Sequence, residues 1–235
     1  MLENNIIALV ITFLVALIWL RFIDFLAHRG WVESHLSRKL IHIGTGPLFV
    51  LCWLLFNDNP SNKYLAALVP LMFTLQFFLI GIGVIKDEAS VKAMSRSGDR
   101  REVLRGPLYY GIIFVLLTTI FWKYTPIGVI ALMLMCGGDG LADIFGRRWG
   151  KRKVLWNKGK SWTGSFGMFL GGWLLSILVV WIYSLTEVFS NPINYYLLPI
   201  SVIAIVGTIV ESLPLKDIDN ITVTLSAVVI GLLFF

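Results

Sequence analysis

Two aspartates, Asp139 and Asp143, stand inside an apolar stretch that begins at Ile127. A charge within a membrane-spanning segment is energetically costly, so such residues face the protein interior or a watery cavity. Residues four apart share one face of a helix, which would let the two carboxylates act together. Mg²⁺ takes one or two carboxylates and completes its shell with water and phosphate oxygens, so the pair suits it. Salt bridges to basic residues of another helix are the alternative.

A strongly basic segment follows the aspartates directly, with seven lysine and arginine residues between positions 147 and 160. Its end leads into the next apolar stretch, and a helix N-terminus beside a lysine is an anion site. The spacing is not that of a Walker A motif, because Val154 stands where that motif requires its first glycine. We expect the segment to hold phosphates, with lipid headgroups as the alternative ligand. The residues predicted to do so are Arg147, Arg148, Lys151, Lys153, Lys160 and Ser161.

A second group of acids lies near the end of the seventh apolar stretch. Glu211 ends that stretch, and Pro214 interrupts the helix after it. Asp217, Asp219 and Asn220 follow within a few residues. Glu211 and Asp219 are candidates to complete a metal site with the first pair. A short solvated turn is the alternative, and it is the interpretation we favour for Asp217.

His42 lies about one turn into the second apolar stretch, after Arg38 and Lys39. Its spacing is compatible with a packing role as well as with a site. Arg38 and Lys39 are interpreted as anchors at the membrane interface. The polar segment at 99–110 is interpreted as a solvated part of a basic connection.

The elements that position these residues are predicted to be transmembrane helices. The chain is 57% hydrophobic and 14% charged, with a mean hydropathy of +0.80, whereas soluble domains carry about 25% charged residues. The sequence therefore predicts an all-α, polytopic bundle of about eight helices, as one membrane domain over 1–235. Seven helices are the alternative, because the last stretch is short and contains three hydroxyl residues. The stretches are 5–27, 40–56, 64–85, 107–122, 126–146, 164–185, 194–212 and 221–235.

The basic residues are distributed unequally between the two ends of such a bundle. If the stretches alternate in direction, one side carries 17 of the 20 lysine and arginine residues. Excess positive charge marks cytoplasmic connections, so we assign this side to the cytoplasm. The candidate site then opens to the cytoplasmic face. The connections on this side are 28–39, 86–106, 147–163 and 213–220.

Several motifs, taken together and in order, resemble the membrane polyprenol kinases, which include phytol, farnesol and dolichol kinases. They are Arg-Lys-x-x-His at 38–42, Gly-Asp-Gly-x-Ala-Asp-x-x-Gly-Arg-Arg at 138–148, Lys-Ser-x-x-Gly-Ser at 160–165, Glu-Ser-Leu-Pro at 211–214 and Asp-Asn at 219–220. The stretches at 100–110 and 135–140 are similar to the phytol kinase branch in particular. One departure is Thr224, where phytol kinases typically have proline.

This resemblance implies phosphorylation of the hydroxyl of a long isoprenoid alcohol, foremost phytol, with CTP or UTP as the donor. With the residue pattern, it implies that Asp139 and Asp143 bind Mg²⁺, with Glu211 and Asp219 as further ligands. Asn220 and His42 would orient the donor or the hydroxyl. The sequence does not identify the general base, for which an aspartate or His42 could serve. The prenyl tail is expected in a groove between helices that opens to the lipid bilayer.

Other functions remain open on the sequence. A lipid cytidylyltransferase would use the same nucleotide and metal but release pyrophosphate, and the acceptor of a kinase would be farnesol, dolichol or diacylglycerol instead of phytol. A transporter would carry polar groups in both halves of the membrane, and here the far half is nearly bare. We expect no nucleic-acid partner, and a plasma or photosynthetic, thylakoid-type membrane as the location.

Overall fold

The computed structural model describes residues 4–95, 97–215 and 218–235, without the side chains of Ser34, Lys92 and Ala93. Over these ranges the chain forms helices and one short β-hairpin. The helices are α1 (Asn5–His28), α2 (Ser34–Cys52), α3 (Asn62–Ile82), α4 (Glu88–Met94), α5 (Gly106–Ile120), α6 (Pro126–Met133), α7 (Asp139–Trp149), α8 (Trp162–Leu185), α9 (Ile193–Ser212) and α10 (Asp219–Phe234). Short 3-10 turns lie at Trp53–Leu55 and Arg100–Leu104, and a π-helical segment at Leu134–Gly138 joins α6 to α7.

The predicted all-α polytopic bundle is confirmed. Among the described residues, seven helical segments are long and apolar enough to cross a membrane, and α10 is a shorter apolar helix. About 20 residues are needed to cross the hydrocarbon core, and α10 has 16. The prediction of about eight helices thus corresponds to seven long spans and this eighth, shorter helix.

The span that carries the two aspartates lies at the centre of the bundle. It runs over Pro126–Trp149 as α6, the π-helical segment and α7. In its most apolar part 78% of the residues are buried, against at most 39% in the other long apolar helices of the described residues. Lipid therefore does not surround this helix. This burial explains how Asp139 and Asp143 are tolerated there, since both face protein or cavity, as the sequence predicted.

Glycines allow α8 to pack closely against the central span. A side chain at Gly171 would overlap the carbonyl group of Gly137, and one at Gly167 would overlap that of Leu141. Small residues at such crossings let helix backbones approach, so these glycines bring α8 close to the central span. The space beside Gly140 is filled by Ile43 of α2, so this glycine makes room for a helix and not for a phosphate.

Contacts at the two ends of the bundle agree with alternating helix directions. At one end, Lys39 of α2 reaches Asp139 of α7. At the other end, the buried Lys123 donates to the carbonyl of Phe56 and pairs with Asp58. All the predicted site residues that make long-range polar contacts do so at the first end.

The basic segment after α7 is a β-hairpin and not a simple loop. Strand β1 (Lys153–Val154) pairs antiparallel with strand β2 (Asn157–Ser161), with Lys153 opposite Ser161. The helices at this end also begin earlier than hydropathy indicated: α2 starts at Ser34 and α10 at Asp219. The reason is that polar first turns continue a helix beyond its apolar part, which a hydropathy pattern does not detect.

Candidate active site

One face of α2 is directed at the two aspartates of α7. His35, Lys39 and His42 follow the spacing i, i+4 and i+7, which places them on one helix face. The Nζ of Lys39 lies 3.1 Å from Asp139 Oδ2 and 4.0 Å from Asp143 Oδ2. A single ammonium group therefore bridges both carboxylates. The side chains of Lys39 and Asp139 are 14% and 26% exposed, so the contact is only partly shielded from water.

Asp143 has two further basic neighbours. Arg147, one turn later on α7, donates from Nε to Asp143 Oδ1 at 3.0 Å. The Nε2 of His35 lies 2.9 Å from Asp143 Oδ2, although neither atom makes a hydrogen bond of good geometry with a described residue. His35 therefore lies close to Asp143 without a directed hydrogen bond to it.

His42 is held from three sides. Its Nε2 lies 3.1 Å from the carbonyl oxygen of Met135 and 3.4 Å from Asp139 Oδ2. The ring of Tyr110 packs against the imidazole at 4.4 Å between centroids, and its hydroxyl donates to the backbone carbonyl of His42. Met135 belongs to the π-helical segment, a feature that recurs at functional sites. The imidazole is thereby fixed beside the first aspartate.

A second charged cluster brings together the end of β2 and the ends of two helices. Lys160, at the end of β2, donates to Glu211 of α9 and, at 2.8 Å, to Asp219 at the start of α10. Glu211 is 4% exposed. Burial by itself would lower the pKa of Lys160, but the neighbouring carboxylates outweigh it and raise that pKa above its ordinary value. Lys160 therefore stays charged at physiological pH.

The hairpin holds Lys160 in place through contacts at both of its ends. The Oγ of Ser161 accepts from the backbone N–H of Gly164 at 3.1 Å and so caps α8. The amide of Asn157 donates to the backbone carbonyl groups of Ser212 and Leu213 at the end of α9. The fold of the basic segment is thus tied to α8 and α9, which bring the lysine to Glu211.

Both charged clusters line one cavity of about 1650 Å³. Its polar end also receives Lys153, Ser161 and Asn220. The cavity continues away from these groups between α1, α2, α3 and α5, where its lining becomes apolar. The apolar lining residues include Ala16, Leu17, Leu20, Phe49, Val69, Phe73, Phe77 and Phe114. Such a cavity accommodates an amphipathic molecule with its polar head at the charged clusters.

Comparisons with known proteins decide the family. No protein-family model matches the chain, and no solved structure matches it. A probable phytol kinase, chloroplastic, of Triticum aestivum is 40% identical over 217 residues, which cover 92% of this chain and 72% of that protein. This chain belongs to the phytol kinase family.

Other relatives of the phytol kinase family agree. The farnesol kinase, chloroplastic, of Arabidopsis thaliana is 39% identical over 234 residues, or 99% of this chain and 76% of that protein. Phytol kinase 1, chloroplastic, of the same plant is 39% identical over 212 residues, or 89% and 70%. The resemblance found in the motifs is confirmed. As a family member whose described residues include seven long apolar helices, the protein is an integral-membrane kinase.

The structure of this phytol kinase family member brings together most of the predicted residues. Arg148 and Lys151 are exceptions: both are exposed, neither lines the cavity, and the guanidinium of Arg148 lies over the ring of Trp149, 5.3 Å from its centroid. Asp217, predicted to lie in a solvated turn, is outside the described residues. The residues that gather around the cavity are Asp139, Asp143, His42, Arg147, Lys153, Lys160, Ser161, Glu211, Asp219 and Asn220.

Three residues of this family member's site were missed from the sequence. The sequence pattern assigns no role to His35, predicts Lys39 as an anchor at the membrane interface and places Tyr110 in a solvated segment. The spacing of His35, Lys39 and His42 was the available signal, because residues at i, i+4 and i+7 share a face. Hydropathy alone does not reveal this spacing, because it predicts a helix that begins only after position 39.

The acids form two pairs, and each pair suits a cation. Among the described residues, no three histidine, cysteine or acidic side chains are grouped as a complete metal site. Mg²⁺ in nucleotide-binding proteins needs one or two carboxylates, the rest being water and phosphate. The oxygens of Asp139 and Asp143 already face one cationic centre, the ammonium of Lys39. The donor chemistry therefore fits Mg²⁺ that arrives together with phosphates.

Proposed function

We propose that this protein transfers a phosphoryl group from CTP to the hydroxyl of a long-chain isoprenoid alcohol, with phytol as the leading acceptor. The observation that supports this most is the single cavity that joins two charged clusters to an apolar channel. Relatives named phytol kinase and farnesol kinase support the acceptor class. UTP is the alternative donor.

The alcohol would lie with its tail in the apolar part of the cavity. Phe49 and Phe114 lie at the inner part of this channel, with ring centroids 5.6 Å apart. His42 stands about two turns closer to the charged end of α2 than Phe49, or about 10 Å along the helix. A hydroxyl at the head of the chain would therefore be presented beside His42 and Asp139.

The donor would lie on the opposite side of the charged clusters, along the hairpin. Lys153, Lys160 and Ser161 line the cavity there, and Arg147 approaches from α7. Asp139 and Asp143 would hold Mg²⁺, with Glu211 and Asp219 as further ligands. The chemistry that Mg²⁺ supplies when bound is neutralisation of the charge on the phosphates. Asn220, at the start of α10, would orient the nucleotide or the hydroxyl.

The reaction requires the alcohol oxygen to form a bond with the terminal phosphorus while the bond to the leaving CDP breaks. Phosphoryl transfer depends mainly on positioning and charge stabilisation. The hydroxyl proton must also leave. His42 Nε2 faces two acceptors, Met135 O and Asp139 Oδ2, so in this arrangement His42 donates from Nε2. An aspartate carboxylate is therefore the better proton acceptor than Nε2.

The site would open to the cytoplasmic side of a plasma or thylakoid-type membrane. The excess of basic residues at this end supports that orientation, because positive charge is retained on the cytoplasmic side. Nucleotides are water-soluble, so a site at this end of the bundle is accessible to them. The prenyl alcohol would reach the cavity from within the bilayer.

The test is product analysis with membranes that contain the full chain. These would be incubated with γ-³²P-CTP and either phytol, farnesol, dolichol or diacylglycerol. Label in a lipid monophosphate, together with CDP, is the expected result, and the acceptors are ranked by rate. Membranes with Asp139→Asn provide the background. Release of labelled pyrophosphate with formation of a cytidylylated lipid would instead identify a cytidylyltransferase.

A second set of incubations identifies the donor. Unlabelled CTP, UTP or ATP would compete with γ-³²P-CTP at equal concentration. We expect CTP to reduce the labelling most and UTP next. If ATP reduced it more than CTP, the proposed donor would be wrong while the kinase itself would stand.

A further inference from the structure

Each of the two acid pairs is bridged by one lysine, whose ammonium group contacts both carboxylates. From this arrangement, and on the basis of the proposed function, we infer that Lys39 and Lys160 are exchangeable counter-cations. In the nucleotide-free protein they neutralise the acid pairs. When a metal–nucleotide complex enters, the carboxylates pass to the metal and the two ammonium groups pass to the phosphates.

The first observation is the geometry around Lys39. Its Nζ approaches Asp139 and Asp143 at 3.1 and 4.0 Å, and its side chain is 14% exposed. Carboxylates in a membrane span need a compensating charge, and breaking such a buried pair by removing one partner is strongly destabilising. Lys39 belongs to α2, whereas the two acids belong to α7, so the neutralising charge comes from a different helix.

The second observation is that the other acid pair is built in the same way. Lys160 contacts Glu211 and Asp219, which belong to α9 and α10, while the lysine comes from β2. Glu211 is 4% exposed, so its charge depends on this partner. In both cases, therefore, a lysine from a different element bridges two carboxylates. Both groups line the same cavity.

The third observation indicates where the lysines would go. Ser165, one turn into α8, is 9% exposed and lines the cavity. Its Oγ has no hydrogen-bond partner among the described residues, and a buried hydroxyl without a partner is costly. A phosphate oxygen would accept from it. Ser161 caps α8 and follows Lys160 directly in the chain, and Ser165 lies one turn further along the helix. A phosphate bound at Ser165 would therefore lie in the same part of the cavity as Lys160.

The exchange has a thermodynamic consequence. If a metal binds without nucleotide, it displaces the ammonium groups from the carboxylates and leaves these ammonium groups without a partner. If a nucleotide binds without metal, it draws the ammonium groups away and leaves the carboxylates unpaired. Together, metal and phosphates supply a partner for every group. Metal and nucleotide binding should therefore be positively coupled through the lysines, and such coupling is reciprocal.

The experiment measures the two ligands separately on the purified full-length protein. Mn²⁺ binding without nucleotide is followed by the electron paramagnetic resonance signal of free Mn²⁺. Binding of radiolabelled CTP at a fixed Mn²⁺ concentration is followed by equilibrium dialysis. The variants are Lys39→Met and Lys160→Met, which keep an unbranched side chain but remove the charge. Lys158→Met, an exposed lysine on the same hairpin, is the matched control.

We expect opposite changes in the two affinities. Each methionine variant should bind Mn²⁺ about 10-fold more tightly and CTP about 10-fold more weakly than the wild type, a size typical of coupling between sites. Lys39→Arg should leave Mn²⁺ affinity near the wild-type value, because its guanidinium still neutralises the carboxylates. Lys158→Met should change neither affinity.

Unchanged or weaker Mn²⁺ binding in either methionine variant that folds would overturn the inference, and so would unchanged CTP binding. Because the two lysines are tested separately, one variant that does not fold leaves the other decisive. Failure of the proposed function has a different signature. In that case the wild type itself would bind no CTP and form no lipid phosphate, whatever the variants do with Mn²⁺.

Discussion

The imidazole of His42 on α2 lies 3.4 Å from the carboxylate of Asp139 on α7, measured from Nε2 to Oδ2. The same nitrogen contacts the carbonyl of Met135, 3.1 Å away, in the π-helical segment. This relationship joins α2 to the central span beside the cavity that both elements line.

The Asp139→Asn variant should lose turnover but remain inserted. Asparagine keeps the shape of the side chain but removes the charge that faces Lys39 and His42. Loss of one electrostatic group at a reacting centre reduces kcat by about 100- to 1000-fold. The measurement is initial rate in membranes at matched protein level. Glu88→Gln, an exposed acid on α4, is the control, and wild-type rates in Asp139→Asn would refute the role of this carboxylate.

Replacement of Tyr110 by phenylalanine should reduce kcat without changing the KM for the alcohol. The hydroxyl donates to the backbone carbonyl of His42 at 3.0 Å, and phenylalanine keeps the ring that packs on the imidazole. A small displacement of His42 should lower kcat by about 10-fold, with a loss of about 1 kcal/mol in stability. Tyr109→Phe is the adjacent control on α5. A higher KM with normal kcat would mean that Tyr110 contacts the acceptor instead.

Smaller side chains at the inner part of the channel should change which alcohols are accepted. Phe114 is 3% exposed and packs against Phe49, so Phe114→Leu enlarges the space for the tail. The ratio of kcat/KM for a 20-carbon to a 15-carbon prenyl alcohol should rise by about 10-fold, since methylene contacts in apolar pockets discriminate on this scale. Phe22→Leu, a replacement on the exposed face of α1, should leave that ratio unchanged.

A methyl group at Gly171 should destabilise the protein. The added Cβ would overlap the carbonyl of Gly137 on the central span, and overpacking typically costs about 1–3 kcal/mol. We expect a lower midpoint of thermal unfolding, followed by tryptophan fluorescence in detergent. Gly106→Ala is the control, because a Cβ there meets no atom within 4 Å. Equal midpoints in the two variants would show that the α7–α8 crossing relaxes freely.

The helical architecture could be predicted because it depends on local properties of the sequence. Apolar stretches of sufficient length identify the spans. The acids were recognised because a charge such as Asp139 in an apolar stretch is costly wherever its partner lies. The starts of α2 and α10 were predicted too late, because polar turns such as the one at His35 extend a helix beyond its apolar part.

The pairing within the site could not be predicted in the same way. Lys39 contacts Asp139, and Lys160 contacts Glu211 and Asp219, although long stretches of chain separate the partners. Which lysine meets which acid depends on how the helices are arranged around the central span. The exclusion of Arg148 and Lys151 from the cavity has the same origin, since the hairpin and the end of α7 direct these two outward.

The sequence by itself determined that this chain is a polytopic helical membrane protein with acids in its interior, because burial of charge and the length of apolar stretches are local constraints. Its motifs also indicated the kinase family. The tertiary structure alone decided that four acids form two lysine-bridged pairs and that one cavity joins them to an apolar channel. Those features lie where the ends of several helices meet. Long-range packing determines where these ends meet, and no local sequence pattern encodes it.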